Sequence, residues 1–220
     1  MVTEFLEGKS KVVWLYSLCH GKDTPGKKGP FFKNEKGEQF RIQEWIYGRD
    51  IIARVIDINI YAGNNFIIIN PEDEDIPVKE KAYRANKLVF DLRKKGYFPI
   101  GVSLHGNAAS IPYANGIEIF TSIGETKSDK IATIFGGFYE NLDMNFRKDF
   151  WDISKKDLDK EMNFYELVRT HCPWILPEIG FYTNKNDAIK MNDSHFRDMV
   201  AKLTWSAQRR VEEKVELNLI

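Results

Sequence analysis

The sequence is poor in the features that mark membrane, disulfide-scaffold and nucleic-acid-binding chains. Its longest unbroken apolar run is Val12 to Tyr16, far below the roughly 20 residues that a membrane-spanning helix needs. Two cysteines, Cys19 and Cys172, cannot build a disulfide framework and lack the C-x-x-C spacing of a structural zinc site. Isolated thiols in a reducing compartment are expected, with a single Cys19–Cys172 bridge as the alternative. No excess of either charge exists, because 32 lysines and arginines balance 32 aspartates and glutamates. Proteins that track phosphates carry a basic excess, so nucleic acid is excluded as a partner. The first residues include Glu4, Glu7, Lys9 and Lys11 without the apolar stretch and small-residue cleavage site of a secretory leader. A chain made and kept in a cytoplasm is expected, or one exported by something other than its own leader.

What is present suits one packed domain over residues 1–220. Hydrophobic residues make up 43% and aromatics 13% of the chain, enough apolar surface to rule out disorder as a description of the whole. Lys11 to Leu18 is β-branched and aromatic without a helical period and reads as a buried strand. Cys19 to Phe40 is a long loop rich in glycine, proline and lysine, a length more often functional than idle. Trp45, Ile52, Val55 and Ile56 recur at helical intervals, so a helix is expected from near Glu44 to Asn59. Asn65 to Asn70 follows as a strand covered on both faces. Pro77 suits a first helical position, and the helix it opens should stop near Gly96.

Further strands are expected at Pro99 to Leu104, Gly116 to Thr121 and Trp174 to Leu176. Helices are expected over Asp129 to Leu142, Glu161 to Thr170 and His195 to Val215, with Lys155 to Lys160 a charged, solvated connection. Strands alternating with crossover helices predict an α/β domain with a mostly parallel, twisted sheet flanked by helices.

The four histidines lie at 20, 105, 171 and 195. His20 and His105 each fall at the carboxyl end of an expected strand and each is followed by glycine. In open α/β sheets ligands bind in the crevice beyond those ends, and neutral imidazole is the commonest metal ligand. A catalytic zinc needs a third protein ligand, and Asp23, Glu35, Glu38 and Glu44 are the candidates. Glu44 is preferred, since a first-turn helical carboxylate is held more rigidly than one in a loop. It could equally serve only to complement the helix dipole. Glu178 closes the apolar segment Pro173-Trp-Ile-Leu-Pro-Glu178. An unpaired buried carboxylate is costly, so a catalytic base at a crevice is the economical reading. His171 and His195 read as structural or surface residues.

Taken in order, these segments resemble the zinc-dependent N-acetylmuramoyl-L-alanine amidases, the family of bacterial autolysins and phage endolysins with a phosphorylase/hydrolase-like fold. The resemblance runs from Val12 to Arg209. It rests on Leu18-Cys-His-Gly-Lys-Asp-Thr-Pro-Gly-Lys-Lys-Gly29, Glu44 with Ile51-Ile-Ala-Arg-Val55, and Lys79-Glu-Lys-Ala-Tyr-Arg-Ala-Asn86. Ser103-Leu-His-Gly-Asn-Ala108, Gly116-Ile-Glu-Ile-Phe120 and Leu176-Pro-Glu-Ile-Gly-Phe-Tyr-Thr-Asn184 complete it. The chain departs around the first histidine, where Ser17-Leu-Cys-His-Gly-Lys22 replaces the family's Asp-x-Gly-His-Gly-Gly.

The resemblance implies zinc on His20, Glu44 and His105, with Glu178 as the catalytic proton carrier. It implies peptidoglycan as substrate, cut at the amide between N-acetylmuramic acid and L-alanine. A phage endolysin, cytoplasmic until released to the cell wall, is the expected setting, with a cytoplasmic or differently exported bacterial amidase as the alternative. Two rivals remain at this stage: a zinc peptidase acting within the stem peptide through the spacing His20-Gly-Lys-Asp23, and a zinc-free wall-binding module. Lys22, Lys27 and Lys28 either steer toward anionic wall polymers or are simply solvated.

Overall fold

The computed structural model describes residues 3–147 and 158–220. In chain order the strands are β1 (Glu4–Phe5), β2 (Val12–Tyr16), β3 (Phe32–Lys33), β4 (Gln39–Phe40), β5 (Asn65–Ile68), β6 (Phe98–Val102), β7 (His105–Asn107), β8 (Ile117–Thr121), β9 (Lys160–Glu161) and β10 (Trp174–Phe181). The helices are α1 (Glu44–Ala62), α2 (Val78–Lys94), α3 (Lys127–Tyr139), α4 (Tyr165–Arg169), α5 (Lys185–Asn192) and α6 (Ser194–Glu216). The described residues form one eight-stranded sheet in the order β1-β5-β2-β6-β10-β8-β9, with β7 paired to β10 further along that strand. The β2–β5, β2–β6, β6–β10, β7–β10 and β8–β9 pairs are parallel, whereas β1–β5 and β8–β10 are antiparallel. The expected α/β architecture with a mostly parallel sheet is therefore what the chain adopts.

Strands β2 and β5 read as continuous apolar runs because helices cover both of their faces. On one face α1, α3 and α6 bury Trp14, Tyr16, Phe66, Ile100 and Ile175. On the other, α2 and α4 cover Val13, Leu15, Trp174 and Leu176. Gly101 is required where it stands, since a Cβ there would lie 1.9 Å from the Trp174 ring on the neighbouring strand. That close approach lets the Trp174 indole N–H donate to Ser103 Oγ at 2.9 Å.

Several expected boundaries shift for identifiable reasons. Helix α1 begins at Glu44 as expected and ends at Gly63, whose φ of 70° is the left-handed cap that glycine adopts without strain. Pro77 sits one position before α2. The expected helix over Glu161–Thr170 shortens to α4, because Lys160–Glu161 pair with β8 as β9. Residues 155–157 of the connection expected at Lys155–Lys160 lie outside the described residues; of the rest, Asp159 is buried and Lys160 belongs to β9 instead of a solvated link. Helix α5 was not foreseen; Asn184 Oδ1 opens it by accepting the Asn186 and Asp187 N–H groups at 3.0 and 3.2 Å.

His105 does not end the strand before it. Strand β6 stops at Val102, and the chain rejoins β10 after two intervening residues as β7. The long loop after Cys19 also holds the small β3–β4 hairpin, closed by Asn34 Oδ1 accepting from Lys36 and Glu38 N–H at 3.1 and 2.9 Å. Both cysteines are free thiols. No helix among the described residues is long and apolar enough to cross a membrane.

Candidate metal centre

Three elements converge beyond the ends of β2 and β6. The segment leaving β2 is fixed by side chains from elsewhere. Asn70, just after β5, brackets Leu18 by accepting its N–H at 2.8 Å and donating to its carbonyl at 2.9 Å. The buried ammonium of Lys81 on α2 donates to the carbonyls of Leu18 and Cys19 at 2.8 and 2.7 Å. Arg49 on α1 reaches the His20 carbonyl at 3.4 Å. With the carbonyls of Leu18, Cys19 and His20 each held, the direction of the His20 side chain is set by the framework.

Glu44 arrives from the first turn of α1. One turn later, Gly48 lies so near Cys19 and Leu104 that a Cβ would come 2.7 Å from Cys19 Sγ and 2.8 Å from the Leu104 carbonyl. The helix therefore crosses close over the two segments that carry the histidines. His20 Nε2 stands 3.2 Å and His105 Nδ1 2.8 Å from the same oxygen, Glu44 Oε1. The two imidazoles meet edge to face with ring centres 5.2 Å apart. The donor atoms of His20, Glu44 and His105 all lie within 4.8 Å of one another, which makes the group able to hold a metal ion.

A metal fits this arrangement on two grounds. Two imidazole nitrogens and one carboxylate oxygen are a donor set that suits zinc. Glu44 Oε2 is buried and has no hydrogen-bond partner, its nearest cation being the Lys27 ammonium at 3.7 Å. An acceptor left this way is expensive unless a cation completes it. Without a metal, burial opposes ionisation of Glu44, but the hydrogen bonds from His105 and His20 outweigh it and hold the carboxyl well below its usual range. Burial pushes the His20 imidazole down. His105 feels the same penalty, yet its bond to Glu44 and the charge of Glu178 carry it upward.

Glu178 lies inside β10, two residues beyond the strand end that the sequence suggested. Its Cα is paired with His105 on one side and Glu118 on the other, and directly paired residues project from the same sheet face. Glu178 Oε2 is buried without a hydrogen-bond partner. Burial, with the Glu44 charge adding to it, pushes this carboxyl up to about 8 against the opposing pull of His105. A carboxyl poised near neutrality, beside a group able to hold a metal, can take and return a proton.

The other acidic candidates go elsewhere. Asp23 accepts the Asp75 N–H at 2.7 Å and, among the described residues, does not join His20 in the group able to hold a metal. Glu38 accepts from the Asn34 amide, and Glu35 is exposed. His171 and His195 are exposed and stand apart from the cluster. Sequence reasoning missed Lys81 and Glu118, whose charges resemble ordinary surface groups until their burial is seen. It also missed Tyr182, whose phenol is pushed up by burial and then by Glu44. Its position four residues after Glu178 was the available signal.

Residues 17–207 match the family model described as N-acetylmuramoyl-L-alanine amidase. Among solved structures, the chain is similar to the Ami1 amidase of Mycobacterium smegmatis, with a TM-score of 0.72 and 15% identity over 94% of this chain and 99% of that one. It is likewise similar to an N-acetylmuramoyl-L-alanine amidase of Clostridium difficile 630, with a TM-score of 0.70 and 18% identity over 96% and 98%. The catalytic domain of the CD27L endolysin targeting Clostridia Difficile aligns at a TM-score of 0.59 and 16% identity over 89% and 95%. No curated protein matches the chain in sequence.

Proposed function

Because the chain belongs to the N-acetylmuramoyl-L-alanine amidase family, we propose that it is a zinc enzyme that hydrolyses the amide joining the lactyl group of N-acetylmuramic acid to L-alanine in peptidoglycan. The observation that carries this reading is the meeting of His20 Nε2 and His105 Nδ1 on the single oxygen Glu44 Oε1, with Glu178 paired to His105 across the sheet. His20, Glu44 and His105 would hold the ion. When bound, zinc supplies a Lewis acid for the amide carbonyl, acidifies water toward neutrality and favours the ionised form of a nearby carboxyl.

The chain's own residues supply the proton traffic. Glu178 Oε2, which no other group engages, accepts the proton of the attacking water and returns it to the alanine nitrogen as the amine departs. The framework from Lys81, Asn70 and Arg49 holds His20 in place through this cycle. Residues 1–220 act as one catalytic domain in this reading. The likeness to an endolysin catalytic domain supports a lytic role, in which the enzyme waits in the cytoplasm and is released to the wall by a separate pore.

Purified protein incubated with cell walls should release alanine amino termini in step with wall solubilisation. New reducing sugar ends without new amines would overturn the amidase reaction.

A further inference from the structure

The face that carries His105 and Glu178 does not stop at Glu178. Glu118 is the next residue along the same cross-strand row, one strand farther from the metal group, a step of about 4.8 Å. It is buried, and both of its oxygens are engaged. Oε2 accepts from the Asn107 amide at 2.7 Å. Oε1 accepts from Arg147 Nε at 2.8 Å and from Lys160 Nζ at 2.6 Å. Arg147 also lies over the Phe181 ring, 5.4 Å from its centre. Two cations from separate parts of the chain are thus locked onto one buried carboxylate, yet their side chains stay 36% and 23% exposed.

Such a cluster is more than a core ion pair. Burying one acid against a single base would have neutralised it, and the second cation places additional positive charge at the open side. Asn107, two residues after the candidate ligand His105, ties the cluster to the metal group. The row therefore runs from candidate ligand to proton carrier to a fixed cationic pair.

We infer that Arg147 and Lys160, seated on Glu118, form a specificity subsite for a carboxylate of the stem peptide, borne by the residue that follows the alanine. This rests on the proposed reaction, in which Glu178 hands its proton to the alanine nitrogen. The departing peptide must then extend from the Glu178 side of the metal group, which is where the cations stand. The spacing agrees: two residues of extended chain reach about 7 Å, comparable to one strand step plus a hydrogen bond. A guanidinium and an ammonium together match a carboxylate's two oxygens.

The test uses two muramyl dipeptides that differ only in whether the terminal α-carboxyl of the second residue is free or amidated. The zinc-loaded wild-type protein should show a KM about tenfold lower for the acid, the scale of one charge-assisted hydrogen bond. Arg147→Gln and Lys160→Gln should each collapse the acid-to-amide KM ratio toward one, while Arg147→Lys keeps part of it. Because the ratio is taken on a single preparation, any loss of folded protein cancels. Equal KM values in the wild type, or variants that retain its ratio, would overturn the subsite. Cleavage of neither compound, with intact walls also resistant, would instead count against the proposed reaction itself.

Discussion

Replacing Glu178 by glutamine should make the metal-free protein more stable at alkaline pH while leaving it nearly unchanged in acid. Burial raises this carboxyl from its ordinary 4.5 to about 8 in the folded state. The folded protein therefore keeps the proton that the unfolded chain gives up. Below pH 4.5 both states are protonated, and stability from this group is fully present. As pH rises from 4.5 through 8 that stability is lost, because ionisation favours unfolding. At about 1.4 kcal/mol per pH unit, the interval sets a ceiling of about 5 kcal/mol. The residue is partly accessible, so solvent screening lowers the expectation to about 2–4 kcal/mol.

Glutamine has the shape of the protonated acid and cannot ionise, so the variant should match wild type at pH 4.5. It should exceed wild type by that amount at pH 9, equivalent to roughly 4–16 °C in melting temperature for a chain of this size. Urea denaturation of both proteins in chelator, across pH 4.5 to 9, measures the difference. His20 titrates in both proteins, whereas His105 loses the upward pull of the Glu178 charge in the variant, which offsets part of the gain where both groups are ionised. Parallel stability curves for the two proteins would refute a buried, proton-holding Glu178.

Zinc content gives an independent check, since wild type should bind one ion per chain and His105→Ala should lose at least about tenfold in affinity, a lost ligand exceeding the 10–100-fold cost of altering a ligand's partner. Competition with a chromogenic chelator reads this directly, and unchanged affinity would remove His105 from the centre. Lys81→Met should destabilise the protein by about 2 kcal/mol, the cost of leaving the buried Cys19 carbonyl without its charged donor. Lys81→Arg should recover part of the loss in urea denaturation, and an effect of Lys81→Met below about 0.5 kcal/mol would show that the ammonium does not hold this segment.

Much of the fold was legible because burial writes itself into composition. Strands β2, β5 and β6 are apolar along their length since helices cover both faces, and α1, α2 and α6 each carry an amphipathic stripe. The two- and three-residue strands β1, β3, β4, β7 and β9 were not legible, because a neighbour's unpaired backbone rather than their own side chains makes them strands. His20, His105 and Glu178 stood out by ending apolar segments. Lys81 lies within Lys79-Glu-Lys81 and Glu118 alternates with isoleucines. Nothing local distinguishes those two from solvent-facing charges, and only the tertiary structure reveals the carbonyls and cations they meet.

Strand β10 enters the sheet between β6 and β8, although it is the last strand to leave the ribosome. A nascent chain stalled before residue 174 would already contain His20, Glu44 and His105, but its sheet would be split and Glu178 still untranslated. The three groups able to hold an ion and the carboxyl proposed to carry the proton are thus completed at different moments of synthesis. Incomplete products, or proteolytic fragments missing the C-terminal fifth, lack both Glu178 and the strand that joins the two parts of the sheet.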